Sequence, residues 1–127
     1  MKQTLILFPL FLFFISCSTK NVDTAQLAKA NEMVFKGEYE QGITLLDELA
    51  EKFPDDLAIK QSRIESHLKY ATYFMYNDSL PPRKKYPAAL KHYRKVLSLD
   101  PNNAQAKQEA DLIISIYKDM GKEVPQE

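Results

Sequence analysis

Apolar residues divide the 127-residue chain into a short uninterrupted run and a longer periodic region. Residues 5–15 contain no charged side chain, and as a helix they would reach about 16 Å, roughly half the thickness of a bilayer core. Beyond residue 22, apolar positions recur at spacings of three and four, which is the period of one helical face. The pattern predicts an all-α domain over residues 23–120, preceded by a targeting segment and followed by a flexible tail over 121–127.

Two stretches of the periodic region align with each other. One begins at Tyr39 and the other at Tyr86, and each has a small residue at +3, apolar residues at +4, +7, +10 and +11, and proline at +15. The small residue allows another helix to approach closely, and the proline ends the helix because it lacks an amide donor. The spacing therefore predicts two equivalent helices, which end before Pro54 and Pro101.

These stretches resemble the second helix of the tetratricopeptide repeat, and Asp-Pro-Asn-Asn after the second one resembles its closing turn. In that family a first helix precedes each of them. Residues 24–36 fit this place, since Asp23 or Thr24 can cap the helix and Gly37 suits its C-terminal turn. The resemblance implies a short α-solenoid of about five antiparallel helices, made of two repeats and a C-terminal capping helix over residues 104–120.

The second repeat carries an insertion of about thirteen residues relative to the 34 residues usual in the family. We expect a long helix from Leu57 to about Tyr76, and a loop over residues 77–85 that Pro81 and Pro82 keep out of regular structure. The inward positions of the long helix are predicted to be Ile64, Leu68, Ala71 and Met75.

The N-terminal segment resembles the signal sequence of bacterial lipoproteins. Lys2 precedes the apolar run, and Phe14-Ile15-Ser16-Cys17 resembles a lipobox, in which the cysteine sulfur receives diacylglycerol. We expect residues 1–16 to be removed, Cys17 to carry the lipid, and residues 17–22 to form a tether. This implies an anchor on the periplasmic side of the cell envelope. Ser18 after the cysteine resembles the pattern for sorting to the outer membrane, which is the preferred location, and the inner membrane stays open. The alternative is an ordinary signal peptide or an uncleaved anchor, with Cys17 incidental.

Charge and composition narrow the classes of function. The 17 basic and 17 acidic side chains argue against a nucleic-acid-binding protein, and the single cysteine excludes a disulfide framework within the chain. The charges are segregated: residues 23–56 hold nine acids and three bases, residues 57–99 nine bases and two acids, and residues 100–127 six acids and three bases. Such a separation of acidic and basic segments could orient a charged partner or favour head-to-tail self-association. Solvated helix faces are the preferred interpretation of this segregation. The basic cluster at residues 83–85, with Lys91, Arg94 and Lys95 after it, could bind lipid phosphates or an acidic partner, but a solvated face is preferred there too.

No pattern typical of catalysis occurs in the sequence. It has no glycine-rich phosphate loop, no nucleophile elbow and no His-Glu metal motif. His67 and His92 lie 25 residues apart without a clustered carboxylate, and we expect surface or half-buried histidines. We predict a non-enzyme without metal, whose only added group is the covalent lipid on Cys17.

The resemblance also implies where a partner binds, because tetratricopeptide domains hold extended peptides or helices in the groove of their first helices. Here that face would contain Asn31, Val34, Phe35, Gln61, Glu65, Lys69, Gln108 and Leu112. An aromatic group that includes Tyr73 ends the third helix. It is either a binding surface or core packing of the insertion, with packing preferred.

The leading functional prediction is a lipid-anchored adaptor that binds another protein of the bacterial envelope, whose identity stays open. One alternative is a solute- or glycan-binding lipoprotein that uses the tyrosine-rich helix end and the loop over residues 70–86. Another is a non-catalytic subunit of an envelope enzyme. Capture of a stoichiometric protein partner distinguishes the adaptor from the ligand binder.

Overall fold

The computed structural model describes residues 22–126. Within this range the chain forms five helices and no strand, namely α1 (Thr24–Phe35), α2 (Tyr39–Lys52), α3 (Leu57–Met75), α4 (Pro82–Leu99) and α5 (Ala104–Asp119). The predicted all-α class is therefore confirmed for the described residues. The signal sequence, the lipidation site Cys17 and the tether as far as residue 21 lie outside them.

Short polar side chains fix where three of the helices begin. Asp23, Asp56 and Asn103 precede α1, α3 and α5, and each accepts hydrogen bonds from first-turn backbone amides at 2.9–3.3 Å. These bonds satisfy amides that have no partner inside the helix. Gly37 follows α1 with a φ of 85°, the left-handed conformation that glycine adopts without strain.

The start of α4 differs from the prediction. The sequence predicted a loop over residues 77–85, but the helix begins at Pro82, and Pro81 is its extended N-cap residue. Proline is well suited to the first helical position, because its fixed φ is helical and its missing amide donor is not needed there. The prediction was wrong because it treated both prolines as helix breakers.

Each helix packs against its neighbours in sequence, and α1 also contacts α3. The main hydrophobic core lies among α3, α4 and α5, and its buried members are Ile64, Ala71, Met75, Ala89, Leu90, Tyr93, Val96, Ala106, Ala110 and Ile113. Leu68 is partly buried against the same core. The inward face predicted for the third helix is confirmed.

The residues after α5 lie back against α4. Val124 packs against the main core, and Arg94 Nη1 donates to the carbonyl oxygens of Pro125 and Gln126 at 2.6 and 2.8 Å. The sequence predicted a flexible tail over residues 121–127. In the described part of that tail, these contacts with α4 and the core fix its path.

Candidate functional site

An open groove of about 790 Å³ runs along α3. Most of its lining comes from α3 and the turn after it, with one residue from the start of α2 and one from α5. The lining residues are Tyr39, Glu65, Leu68, Lys69, Thr72, Tyr73, Tyr76, Asn77 and Gln105. Aromatic rings, an aliphatic side chain, a carboxylate and an ammonium group thus share one surface, a combination that suits an amphipathic segment.

Aromatic contacts connect the groove with the interface between α3 and α4. Tyr39 stacks on Tyr70 with ring centroids 4.8 Å apart, and Tyr73 lies 5.6 Å from Tyr39. Tyr70 also contacts Phe74 and His92, at centroid distances of 4.6 and 4.5 Å. Tyr70 and Phe74 are half-buried packing residues, whereas Tyr73 is 47% exposed. The packed rings therefore hold an exposed ring in a defined position.

Two tyrosine hydroxyls bond to carboxylates of other helices. Tyr70 donates to Glu40 at 3.0 Å, which joins α3 to α2, and Tyr76 donates to Glu109 at 2.8 Å, which joins α3 to α5. Burial, with this hydrogen bond, raises the pKa of Tyr70 to about 12. The bond to Glu109 likewise raises the pKa of Tyr76. Both phenols are neutral at physiological pH, so they serve as hydrogen-bond donors and do not supply charge.

A pair of histidines lies next to these aromatic rings, since His92 contacts Tyr70. The Nδ1 atoms of His67 on α3 and His92 on α4 are 2.9 Å apart, so one ring must donate and the other accept. Burial lowers the pKa of both rings to about 4. The sequence predicted surface or half-buried histidines, but His67 is only 5% exposed. The prediction failed for His67 because packing between α3 and α4 joins residues that are distant in sequence.

Three of the predicted contact residues line the groove. Glu65, Lys69 and Tyr73 lie on the same side of α3. Gln61 is exposed one turn earlier and donates a hydrogen bond to Glu65 at 3.1 Å. These four residues form a continuous surface along the helix.

The other predicted contact residues lie elsewhere. Asn31 and Phe35 are exposed on α1, and Gln108 and Leu112 are exposed on α5, but none of them lines the groove. Val34 is 4% exposed and packs against Gly42 of α2. It is an interior residue in this structure and offers no surface to a partner.

The predicted contact residues did not include the other six lining residues, although the alternative site over residues 70–86 covers Thr72, Tyr76 and Asn77. Groove positions 65, 69 and 72 of α3 and position 76 directly after it follow a helical spacing of four, three and four, so Thr72 and Tyr76 could have been assigned from periodicity alone. Tyr39 and Gln105 come from other helices. Only the packing of α2 and α5 around α3 brings them to the groove, and no local pattern encodes that.

Over residues 22–126, no cluster of three or more His, Cys, Asp or Glu side chains could hold a metal ion. In the same range no helix has both the length and the apolar character to cross a bilayer. Comparison of the chain with protein-family models, with curated proteins and with solved structures finds no match in any of the three.

Proposed function

We propose that this chain is a lipid-anchored interaction module of the bacterial cell envelope, which binds a peptide or helix of a partner protein in the α3 groove and has no catalytic activity of its own. The groove carries the proposal, because it places three tyrosines beside Glu65 and Lys69 on packed helices. Tyrosine is favoured at protein interfaces, since it adds a large rigid area with a polar tip. The lipobox-like sequence ending at Cys17 supports the anchor.

A short tetratricopeptide-like stack is the architecture that we propose for the module. Short turns join the helices, each helix packs on the next, and α1 also contacts α3, as neighbouring first helices do in such a stack. The first helices would then be α1, α3 and the capping helix α5. The groove draws its lining from α3 and α5, with Tyr39 added from the start of α2.

Site-specific photo-crosslinking in membranes tests the binding site. A photoreactive amino acid at Tyr73 is expected to crosslink one protein in stoichiometric amount. The same group at Leu57, which is 79% exposed and does not line the groove, is the control and should capture none of it.

Alanine variants give a second measurement of the same site. Tyr73→Ala should lower recovery of the partner from detergent-solubilised membranes about tenfold, as expected for a central interface tyrosine. Leu57→Ala should leave the recovery unchanged. Equal recovery with both variants, in folded protein, would contradict binding in the groove.

A solute- or glycan-binding lipoprotein is the second candidate. The groove volume of about 790 Å³ is within the range of small-molecule sites, and its tyrosines offer faces for a sugar ring. This candidate predicts saturable binding of an oligosaccharide that Tyr73→Ala abolishes, without a crosslinked protein. A non-catalytic enzyme subunit would instead be recognised by activity in the captured partner.

A further inference from the structure

Helix α4 has an unusual charge. Its 18 residues include six basic and no acidic side chains. Lys84, Lys91 and Lys95 are all exposed, and their spacing of seven and four residues aligns them on one side of the helix over about 16 Å. We call these three residues, with the flanking Arg83 and Arg94, the α4 basic stripe.

The α4 basic stripe has no acidic counterpart within the described residues. The ion pairs of residues 22–126 join Lys36 to Glu32, Arg63 to Asp47 and Lys107 to Asp111, and none of them involves α4. Among residues 22–126, Arg94 is bonded only to the uncharged backbone carbonyls of Pro125 and Gln126. The positive charge of this surface is therefore available to an external anion.

Part of this charge lies where it opposes helix stability. Arg83, Lys84 and Lys85 occupy the first turn of α4, where the helix dipole disfavours cations. The helix also has no side-chain cap and no acidic residue in that turn to offset the effect. A cationic cluster that the fold itself does not neutralise is more readily explained by an anionic binding partner.

The second half of the stripe borders a cleft. Lys91, Arg94, Lys95 and Ser98 line it together with His92 and the tail residue Gln126, and its volume is about 440 Å³. This concave surface thus carries two ammonium groups, a guanidinium and a hydroxyl. All of them can donate hydrogen bonds to the oxygen atoms of a phosphate group. The size of the cleft is sufficient for a phospholipid headgroup.

The charge distribution favours a membrane as the source of these phosphates. Residues 23–56 carry nine acids and three bases, a net charge of −6, whereas α4 carries +6. Near an anionic bilayer the acidic half is repelled and α4 is attracted, so the domain acquires a preferred orientation. A six-residue tether spans at most about 20 Å, which keeps a domain of this size within contact distance of the surface.

We propose that the α4 basic stripe binds the phosphate groups of anionic phospholipids in the membrane to which the chain is anchored. This inference rests on the lipid anchor of the proposed function. The stripe and the cleft beside it share no residue with the α3 groove, so the membrane-bound domain keeps the groove available to a protein partner.

Fluorescence quenching by headgroup-labelled lipid measures this orientation in the full chain, purified with its lipid and reconstituted into vesicles. A fluorophore is attached through Ser98→Cys on α4 or, as the control, through Thr44→Cys on the acidic α2. Both side chains are exposed and bond to a backbone carbonyl in the preceding turn. A lipidated Cys17 has no free thiol, so the label goes to the introduced cysteine alone.

With about 30% phosphatidylglycerol in phosphatidylcholine, quenching at position 98 should be several-fold stronger than at position 44. The difference should disappear in pure phosphatidylcholine and at about 1 M salt, where charges are screened over a few ångströms. The variant K84Q/K91Q/K95Q should lower the population in contact with lipid about tenfold or more. The variant K29Q/K60Q/K118Q removes the same charge from exposed lysines outside α4 and should retain the contact.

Two results would overturn the proposal while leaving the anchor intact. One is equal quenching at both positions in a chain whose Cys17 carries lipid by mass spectrometry. The other is a salt-sensitive oligomer in which position 98 approaches a second copy and not the bilayer. The stripe would then bind the acidic residues 23–56 of another chain and not phospholipid. A bare Cys17 in cells would overturn the anchor itself, and this inference with it.

Discussion

At the residue scale, the His67–His92 pair is the contact whose energy depends most directly on pH. The 2.9 Å distance between the Nδ1 atoms requires one of them to be unprotonated. Acidification would place two cations side by side in a site where His67 is buried, and Lys91, Lys95 and Arg63 add positive charge around it. The charges of Asp47 and Glu40 oppose this effect only in part, since the pKa of both rings stays low.

The pair should therefore make folding stability depend on pH in the acidic range. The pKa of both rings is about 4 in the folded chain, against about 6.5 when unfolded. Between these two pH values the unfolded chain binds more protons than the folded chain. The contribution of the histidine pair to stability is therefore fully present above about pH 6.5 and is lost as the pH falls toward 4. After a discount for solvent exposure, the loss should be about 1–3 kcal/mol.

Urea unfolding at about pH 7 and about pH 4.5 measures this loss. The control is the double variant H67L/H92L, which keeps the carboxylates that also titrate in acid. Between about pH 7 and about pH 4.5, the free energy of unfolding should decrease more in the natural chain than in this variant. An equal decrease in the free energy of unfolding of both proteins would show that the histidines do not contribute to the pH dependence.

The sequence did not predict this pair, and the reason is physical. Helical periodicity places a residue on a face of its own helix, but the mutual rotation of α3 and α4 decides which faces meet. The core positions of both helices were accessible to prediction because burial follows the apolar spacing. His67 lies three residues after Ile64 and four before Ala71, so the spacing also fits this position, but the interpretation assigned Leu68 to the inward face and treated the polar His67 as a surface or half-buried residue.

At the element scale, local signals located most helix ends. α3 and α5 begin at Leu57 and Ala104, as the sequence predicted, and α1 begins after Asp23, one of its two predicted caps. The exception was α4, because a Pro-Pro pair indicates both the end of regular structure and a favourable helix start. The residues after Pro82 decide between the two, and Arg83-Lys-Lys-Tyr86 is compatible with helix.

The close contact of α1 with α2 depends on Gly42. A Cβ atom there would lie 2.6 Å from Val34 Cγ2 and 2.9 Å from the carbonyl oxygen of Ala30. The backbone atom cannot rotate away, so α1 would have to shift. Gly42→Ala should lower the free energy of unfolding by about 1–3 kcal/mol, despite the better helix propensity of alanine.

Thermal or urea unfolding of this variant should be compared with Thr44→Ala. Thr44 is exposed in the same helix, and its replacement should change stability by about 0.5 kcal/mol or less. A Gly42→Ala protein as stable as the natural chain would mean that α1 and α2 separate at little cost.

At the scale of the whole molecule, the core is distributed unevenly. The main cluster contains residues of α3, α4 and α5, whereas α1 and α2 reach the rest of the fold through their packing on α3. The Arg63–Asp47 ion pair, with an N–O distance of 2.7 Å, and the Tyr70–Glu40 hydrogen bond both link α2 to α3. Polar contacts at partly exposed positions add little to stability.

The sequence predicted the helices and three of the nine residues that line the groove, but not how these parts combine. Glu65, Lys69 and Tyr73 follow from the α3 face, whereas Tyr39 and Gln105 depend on tertiary packing. The uneven core is equally a property of packing. It has a consequence for stability, since α-helical stacks of few repeats gain little from neighbouring units.

We expect the isolated full chain to be marginally stable, with a thermal midpoint no higher than the range of about 45–65 °C usual for mesophilic domains. Helices α1 and α2 should open first, because as a pair they pack on the rest of the described fold through α3, whereas α4 is enclosed by α3, α5 and the tail. Amide hydrogen exchange should therefore be faster in Tyr39–Lys52 than in Pro82–Leu99. Uniform protection of both helices, or a midpoint above about 90 °C in dilute monomer, would contradict this and remove any need for a partner to stabilise the fold.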